Sequence, residues 1–234
     1  MLKDIFNRVT FIHGWLFGNY IWTNVINYFD SINNKNFVTF NGYSDNSNEF
    51  DREDKVKFIL NSTNKDDLII AYSFGASSIL TNKYLNNCKG SIILINPFFS
   101  EKKDSIKELH NSINTDFHEG IKKFMFNCVK GSSNTKKNYS ELHKLFYHNY
   151  TPSVDLLSSE LDEMMQVELS SLSIDKKLDI HILQSKNDEV NSMQYISHLE
   201  KQKISVVKVD SCPHYPFFEF NKIYDIINNI YGNS

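Results

Sequence analysis

Arginine is nearly missing from this chain. Of 25 basic residues only Arg8 and Arg52 carry a guanidinium, and the net charge is -3. General nucleic-acid binding needs a basic surface that neutralises phosphates, so no nucleic-acid partner is expected. Cysteine is also scarce. Cys88, Cys128 and Cys212 are odd in number, far apart and without a Cys-x-x-Cys pair, which argues against a disulfide framework or a zinc site. No apolar run approaches the ~18 residues of a membrane span. The opening "MLKDIFNRVTFIHGW" lacks the long apolar core of a secretory signal. A soluble cytoplasmic protein with no membrane partner is the expectation. Internal repeats are absent as well.

What is present is enough apolar material for a substantial core, 41% hydrophobic and 14% aromatic over 234 residues. It comes in a rhythm. "VTFIHGW" (9–15), "NFVTFNGYS" (36–44), "DDLIIAYS" (66–73) and "GSIILINPFF" (90–99) read as strands. "IWTNVINYF" (21–29) and "GASSILTNKYLNN" (75–87) have helical spacing between them. Near-continuous apolar runs alternating with helices predict a mostly parallel sheet covered on both faces. From residue 100 to about 171 the strands stop, and "HEGIKKFMFNCVK", "SELHKLFYHNY" and "SVDLLSSELDEMMQ" are helical in period. The polar "GSSNTKKN" (131–138) reads as a loop among them. Strands resume at "LDIHILQS" (178–185) and "ISVVKVDS" (204–211), with helices at 192–202 and 220–231. The expected organisation is an α/β core over 1–100 and 172–234, interrupted by a helical cap over 101–171.

The stretch "AYSFG" (71–75) sits where a strand turns into a helix. A serine at such a tip is held in a strained conformation, and the residues two before and two after it must be small. The usual pattern has glycine at both places; here the first is Ala71, which adds only a methyl group. A nucleophilic serine needs a base, and the base an orienting carboxylate. Asp188 in "HILQSKNDEV" and His214 in "VVKVDSCPHYPFFE" each follow the end of a strand. In a parallel sheet those ends share one edge. Asp188 is preferred over the neighbouring Glu189 by its spacing from the strand. An oxyanion needs two backbone N–H donors. Phe74, after the serine, offers one. Trp15, in the glycine turn "FIHGW" (11–15), offers the other. His13 in that turn is expected to shape the loop and not to act as the base.

At these residues the chain resembles the α/β-hydrolase superfamily. The fit runs from "HGW" (13–15) through "YSFG" (72–75) and "NDEV" (187–190) to "PHYPFFE" (213–219), with the helical insert where that superfamily places its cap. It is most similar to the pimeloyl-acyl-carrier-protein methyl ester esterases of biotin synthesis, through "HGWLFGNYIW" (13–22), "INPFF" (95–99) and the cap helix and its return over 154–172. It departs from them at Ala71, in a shorter N-terminus and in its few arginines. A menaquinone-pathway lyase of the same fold shares "HGWL" and "YSFG". It relies on arginines, one soon after the serine, whereas none follows Arg52 here.

The resemblance implies a serine carboxylesterase with Ser73, Asp188 and His214 as triad, Trp15 and Phe74 as oxyanion donors, and no metal or cofactor. Its substrate would be a small ester, borne on acyl carrier protein, and a monomer is expected. Family members hold the acidic carrier with basic cap residues. Lys122, Lys123, Lys130, Lys136 and Lys137 are available, although solvated surface lysines are the simpler reading. Among the cap's Phe117, Phe124, Phe126, Phe146, Tyr147, Met164 and Met165, most are expected in the cap's own core. Trp15, Phe124, Phe146 and Met164 are taken as substrate contacts. A general short-chain esterase, an acyl thioesterase and a catalytically inactive binding protein of the same fold remain open alternatives.

Overall fold

Six short aliphatic runs become strands: β1 (Arg8–Ile12), β2 (Asn34–Val38), β3 (Asp67–Tyr72), β4 (Ser91–Ile95), β5 (Ile180–Asn187) and β6 (Ser205–Pro213). The structure is a computed structural model and describes residues 2–44, 51–99, 103–149, 151–167, 172, 174–191 and 193–232. The strands form one sheet in the order β2-β1-β3-β4-β5-β6, and each pairing is parallel. Every residue of β3 and β4 is buried. That explains their unbroken apolar character, since central parallel strands are covered on both faces.

The covering helices are α1 (Arg52–Asn61), α2 (Phe74–Leu80), α7 (Tyr195–Lys201) and α8 (Asn221–Tyr231). Between β4 and β5 lie α3 (Lys103–Thr115), α4 (Phe117–Val129), α5 (Thr135–Tyr147) and α6 (Val154–Met164). Side-chain oxygens cap several of them. Asp116 accepts from Glu119 N–H, Asn134 from Lys137 N–H and Ser153 from Leu156 N–H, satisfying donors that the first turn leaves free. Among the described residues no helix is long and apolar enough to cross a membrane. The three cysteines are free and buried.

Several elements differ from the sequence expectation. Residues 21–29 form no α-helix; two short 3-10 turns, Asn19–Trp22 and Ile26–Phe29, stand there. The second strand is shifted toward the N-terminus. It is an edge strand with mostly exposed residues, so no burial pattern marks its polar start, and residues 39–43 turn away from the sheet. The helix after Ser73 stops at Leu80, and Leu85–Asn87 is a separate 3-10 turn. α1 and α3 have no counterpart in the expected elements. α1 buries only Val56 and Leu60, too little to stand out against its charged flanks, whereas α3 buries Ile106 and Ile113 with Leu109 beside them at helical spacing. The cap boundaries at residues 100–101 and 171, Ser192 at the start of the expected 192–202 helix, and part of the 154–172 return lie outside the described residues.

Register positions the site. Ile12 pairs with Ala71, Ala71 with Leu94, Tyr72 with Ile95, and Asn187 with Pro213. The residues that follow, His13, Ser73, Asn96, Asp188 and His214, therefore emerge together at the C-terminal edge of the sheet. A register shift between Ser185 and Asn187 lets Asp188 and His214 follow a matched pair.

Candidate active site

β3 ends at Tyr72 and α2 begins at Phe74, so Ser73 alone makes the turn. It does so at φ 52°, ψ -122°, a region that non-glycine residues enter only when the surroundings hold them there. Ser73 N–H donates to Ile95 O at 2.9 Å, which fixes the turn to β4. A Cβ on Gly75 would stand 2.2 Å from His13 O, and one on Gly14 would stand 2.9 Å from Ser73 Cβ. The "HGW" loop and the serine turn are thus in contact, and each needs a glycine for that approach. Ala71 is fully buried within the sheet.

Ser73 Oγ lies 3.0 Å from His214 Nε2, and His214 Nδ1 lies 2.8 Å from Asp188 Oδ2. The His214 and Asp188 side chains are 1% and 0% exposed. With an ionised carboxylate at Nδ1, that nitrogen carries the hydrogen and leaves Nε2 to accept from the serine hydroxyl. Burial by itself would raise the Asp188 carboxyl. The His214 charge and hydrogen bond, with Asn191 N–H and Gln184, hold it below the usual aspartate value. Its Oδ1 accepts from the backbone N–H of Val190 (2.9 Å) and Asn191 (2.8 Å). Its Oδ2 accepts from Gln184 Nε2 (3.1 Å) and Asn191 Nδ2 (3.2 Å). Glu189, the other acid in the loop, faces Lys130 Nζ at 3.4 Å and is half-exposed.

His13 takes no part in that chain of hydrogen bonds. Its Nδ1 donates to Gly14 O at 2.8 Å and its Nε2 accepts from Phe40 N–H at 3.4 Å. Burial, then the nearby Arg52 charge, lowers its pKa to about 3, so it is neutral at physiological pH. Phe74 opens α2, and the first N–H groups of a helix lack intrahelical acceptors. Trp15 and Ser73 line one cavity of about 160 Å³ beneath the cap. Trp15 packs edge-on against Phe124, ring centroids 4.8 Å apart.

Phe124 and Met164 also line the cavity. Phe146 does not, contrary to the expectation. It is wholly buried in the cap, packed against Tyr147. Phe126 and Tyr147 belong to neither lining nor core; they are 44% and 37% exposed. Among the cap lysines, Lys122 pairs with Glu119 and Lys137 with Glu141, while Lys123 lies on the cavity wall.

Sequence reasoning missed the residues that hold this geometry. Asn96, at φ 48°, donates from Nδ2 to His214 O (2.7 Å) and to Ser185 Oγ (3.0 Å), and accepts from Ser185 N–H (2.7 Å). Gln184 accepts the Tyr195 hydroxyl while donating to Asp188. On the opposite side, Arg52 pairs with Glu160. The Asn-Pro step that ends β4 was the one visible signal for Asn96. Nothing in the pattern marks the others.

No family model matches the chain. It is 29% identical over 230 residues to a pimeloyl-[acyl-carrier protein] methyl ester esterase of Wigglesworthia glossinidia brevipalpis, covering 90% of this chain and 87% of that one. An esterase from Exiguobacterium antarcticum superposes with a TM-score of 0.76 at 17% identity, over 96% of this chain and 91% of the other. A hydrolase from Oleispira antarctica does so with 0.73 at 16%, over 97% and 92%.

Proposed function

From the premise that the chain is built on the α/β-hydrolase fold, we propose that it is a serine carboxylesterase. The observation that carries this reading is the buried Ser73–His214–Asp188 hydrogen-bond chain opening into the cap cavity. His214 Nε2 takes the proton from Ser73 as Oγ attacks the ester carbonyl. Asp188 keeps the imidazole in the required tautomer and stabilises the imidazolium. The N–H groups of Trp15 and Phe74 receive the oxyanion, each worth about 3 kcal/mol. The imidazolium returns its proton to the leaving alcohol. Water, activated by the same histidine, then releases the acid and restores the serine. Ester and water supply every atom in these steps.

For the substrate, we favour the methyl ester of pimeloyl-acyl-carrier protein, hydrolysed in biotin synthesis. The similarity to the Wigglesworthia protein along nearly the whole chain supports this. So do the apolar side chains of Trp15, Phe124, Leu161 and Met164 in the mixed wall of the cavity that Ser73 lines, suited to an aliphatic acyl chain. The test is hydrolysis of p-nitrophenyl butyrate and of methyl pimeloyl-carrier protein by wild type and Ser73→Ala. The variant is expected to lose about 10⁴-fold or more in kcat on both. An unchanged rate in Ser73→Ala would refute the nucleophile. Turnover of the simple ester or an acyl thioester, but not of the carrier-bound ester, would refute the substrate.

A further inference from the structure

Trp15 and the residue after it, Leu16, are tied to the same cap helix. Trp15 Nε1 donates to Leu157 O at 3.1 Å. Leu16 N–H donates to Tyr43 Oη at 3.0 Å, and Tyr43 O–H donates to Glu160 Oε2 at 2.5 Å. Leu157 and Glu160 are successive contacts on one face of α6, three residues apart. Leu16 sits at φ 70°, a left-handed conformation that a leucine keeps only under constraint. Glu160 Oε1 in turn pairs with Arg52. The Arg52 guanidinium lies over the rings of Phe40 (3.9 Å) and Phe74 (4.6 Å). One buried ion pair, its side chains 10% and 7% exposed, therefore reaches Leu16, the residue after Trp15, through Tyr43, and the ring of Phe74 directly.

Stability is a poor reason for such a pair. Removing two charges from water offsets most of their attraction, and apolar replacements are often no less stable. Geometry is the better reason. A carboxylate whose two oxygens meet one guanidinium NH2 group and one phenol fixes direction as well as distance. We propose that Tyr43, Glu160 and Arg52 are positioning residues, through which the docking of α6 sets the oxyanion donors at Trp15 and Phe74. The inference rests on the esterase reading above. On it, the oxyanion hole is complete only while the cap is seated.

Tyr43→Phe keeps the ring against His13 (centroids 4.5 Å apart) and removes only the hydroxyl. Glu160→Gln keeps an acceptor and removes the charge, so either variant carries the test if the other folds poorly. Each is expected to lower kcat for ester hydrolysis at least tenfold with KM within twofold. Each should also weaken a boronic acid that forms a tetrahedral adduct on Ser73 by the same factor. The double variant should lose little more than the worse single one, because the residues act in series. A structural role alone would lower the melting temperature and leave kcat and boronate affinity of the folded enzyme unchanged; that result overturns the proposal. Inactive Ser73→Ala beside unaffected Tyr43→Phe and Glu160→Gln refutes this inference alone. Active Ser73→Ala refutes the esterase reading and this inference with it.

Discussion

At the serine turn the two small residues around Ser73 are under different constraints. Gly75 faces backbone: an added Cβ would lie 2.2 Å from His13 O and 3.0 Å from His13 C, and neither atom can yield without moving the "HGW" loop. Ala71 already carries its methyl within a fully buried strand between Ile12 and Leu94. Gly75→Ala is therefore expected to displace the loop and cost about 10²-fold in kcat, the scale of an ångström's misplacement. Ala71→Gly should stay within about twofold, and Ala71→Val should fall between them by crowding a filled interior. Kinetics on p-nitrophenyl butyrate check the order, and equal rates for Gly75→Ala and wild type would refute the constraint. The departure from glycine at position 71 was legible, and so was its small size. The closeness of position 75 to His13 was not, because the contact joins residues 62 positions apart and leaves no local pattern.

Elements bring the remaining groups together through register. Asp188 and His214 were identifiable because each follows an apolar run, and β5 and β6 do end on paired residues, Asn187 and Pro213. The supports were hidden for a physical reason. Asn96 does its work through one amide reaching the His214 carbonyl and the Ser185 backbone, and a lone asparagine after a strand reads as a turn residue. Asn96→Gly removes that amide without straining the positive φ. It should lower kcat/KM about tenfold, as the hydrogen bond that holds the His214 carbonyl is lost at roughly 1 kcal/mol, and slow fluorophosphonate labelling of Ser73 to match. Labelling at the wild-type rate would show that the His214 loop holds itself. The misread elements differ in cause. α1 buries few apolar positions and the 3-10 turns at 19–29 are too short for periodicity to appear, whereas α3 carries Ile106, Leu109 and Ile113 at helical spacing, a signal that was present and passed over.

At the scale of the whole molecule, sheet and cap share a single buried apolar cluster. It runs from Val9, Ile70 and Leu94 in the strands to Met125, Leu142, Phe146 and Leu161 in the cap helices. The alternation of strands, the gap in it and the helical insert were all readable, since each depends on long periodic stretches. Which cap aromatics face the cavity was not, because lining and core use the same residue types at the same helical spacing. Phe146 illustrates this, placed by expectation on the cavity and found wholly inside the cap. A shared cluster implies shared cooperativity. Phe146→Ala should cost about 3–5 kcal/mol as a buried aromatic truncation. The loss should appear in reporters distant from α5. Trp22, packed between Phe11 and Phe217 on the sheet side (centroids 5.1 and 4.9 Å), is such a reporter, with Trp15→Phe as the background to isolate its fluorescence. Urea unfolding followed by Trp22 emission and by far-UV circular dichroism should shift together to lower denaturant. If the helical signal shifts and the Trp22 transition stays in place, the cap unfolds on its own and the cluster is not one cooperative unit.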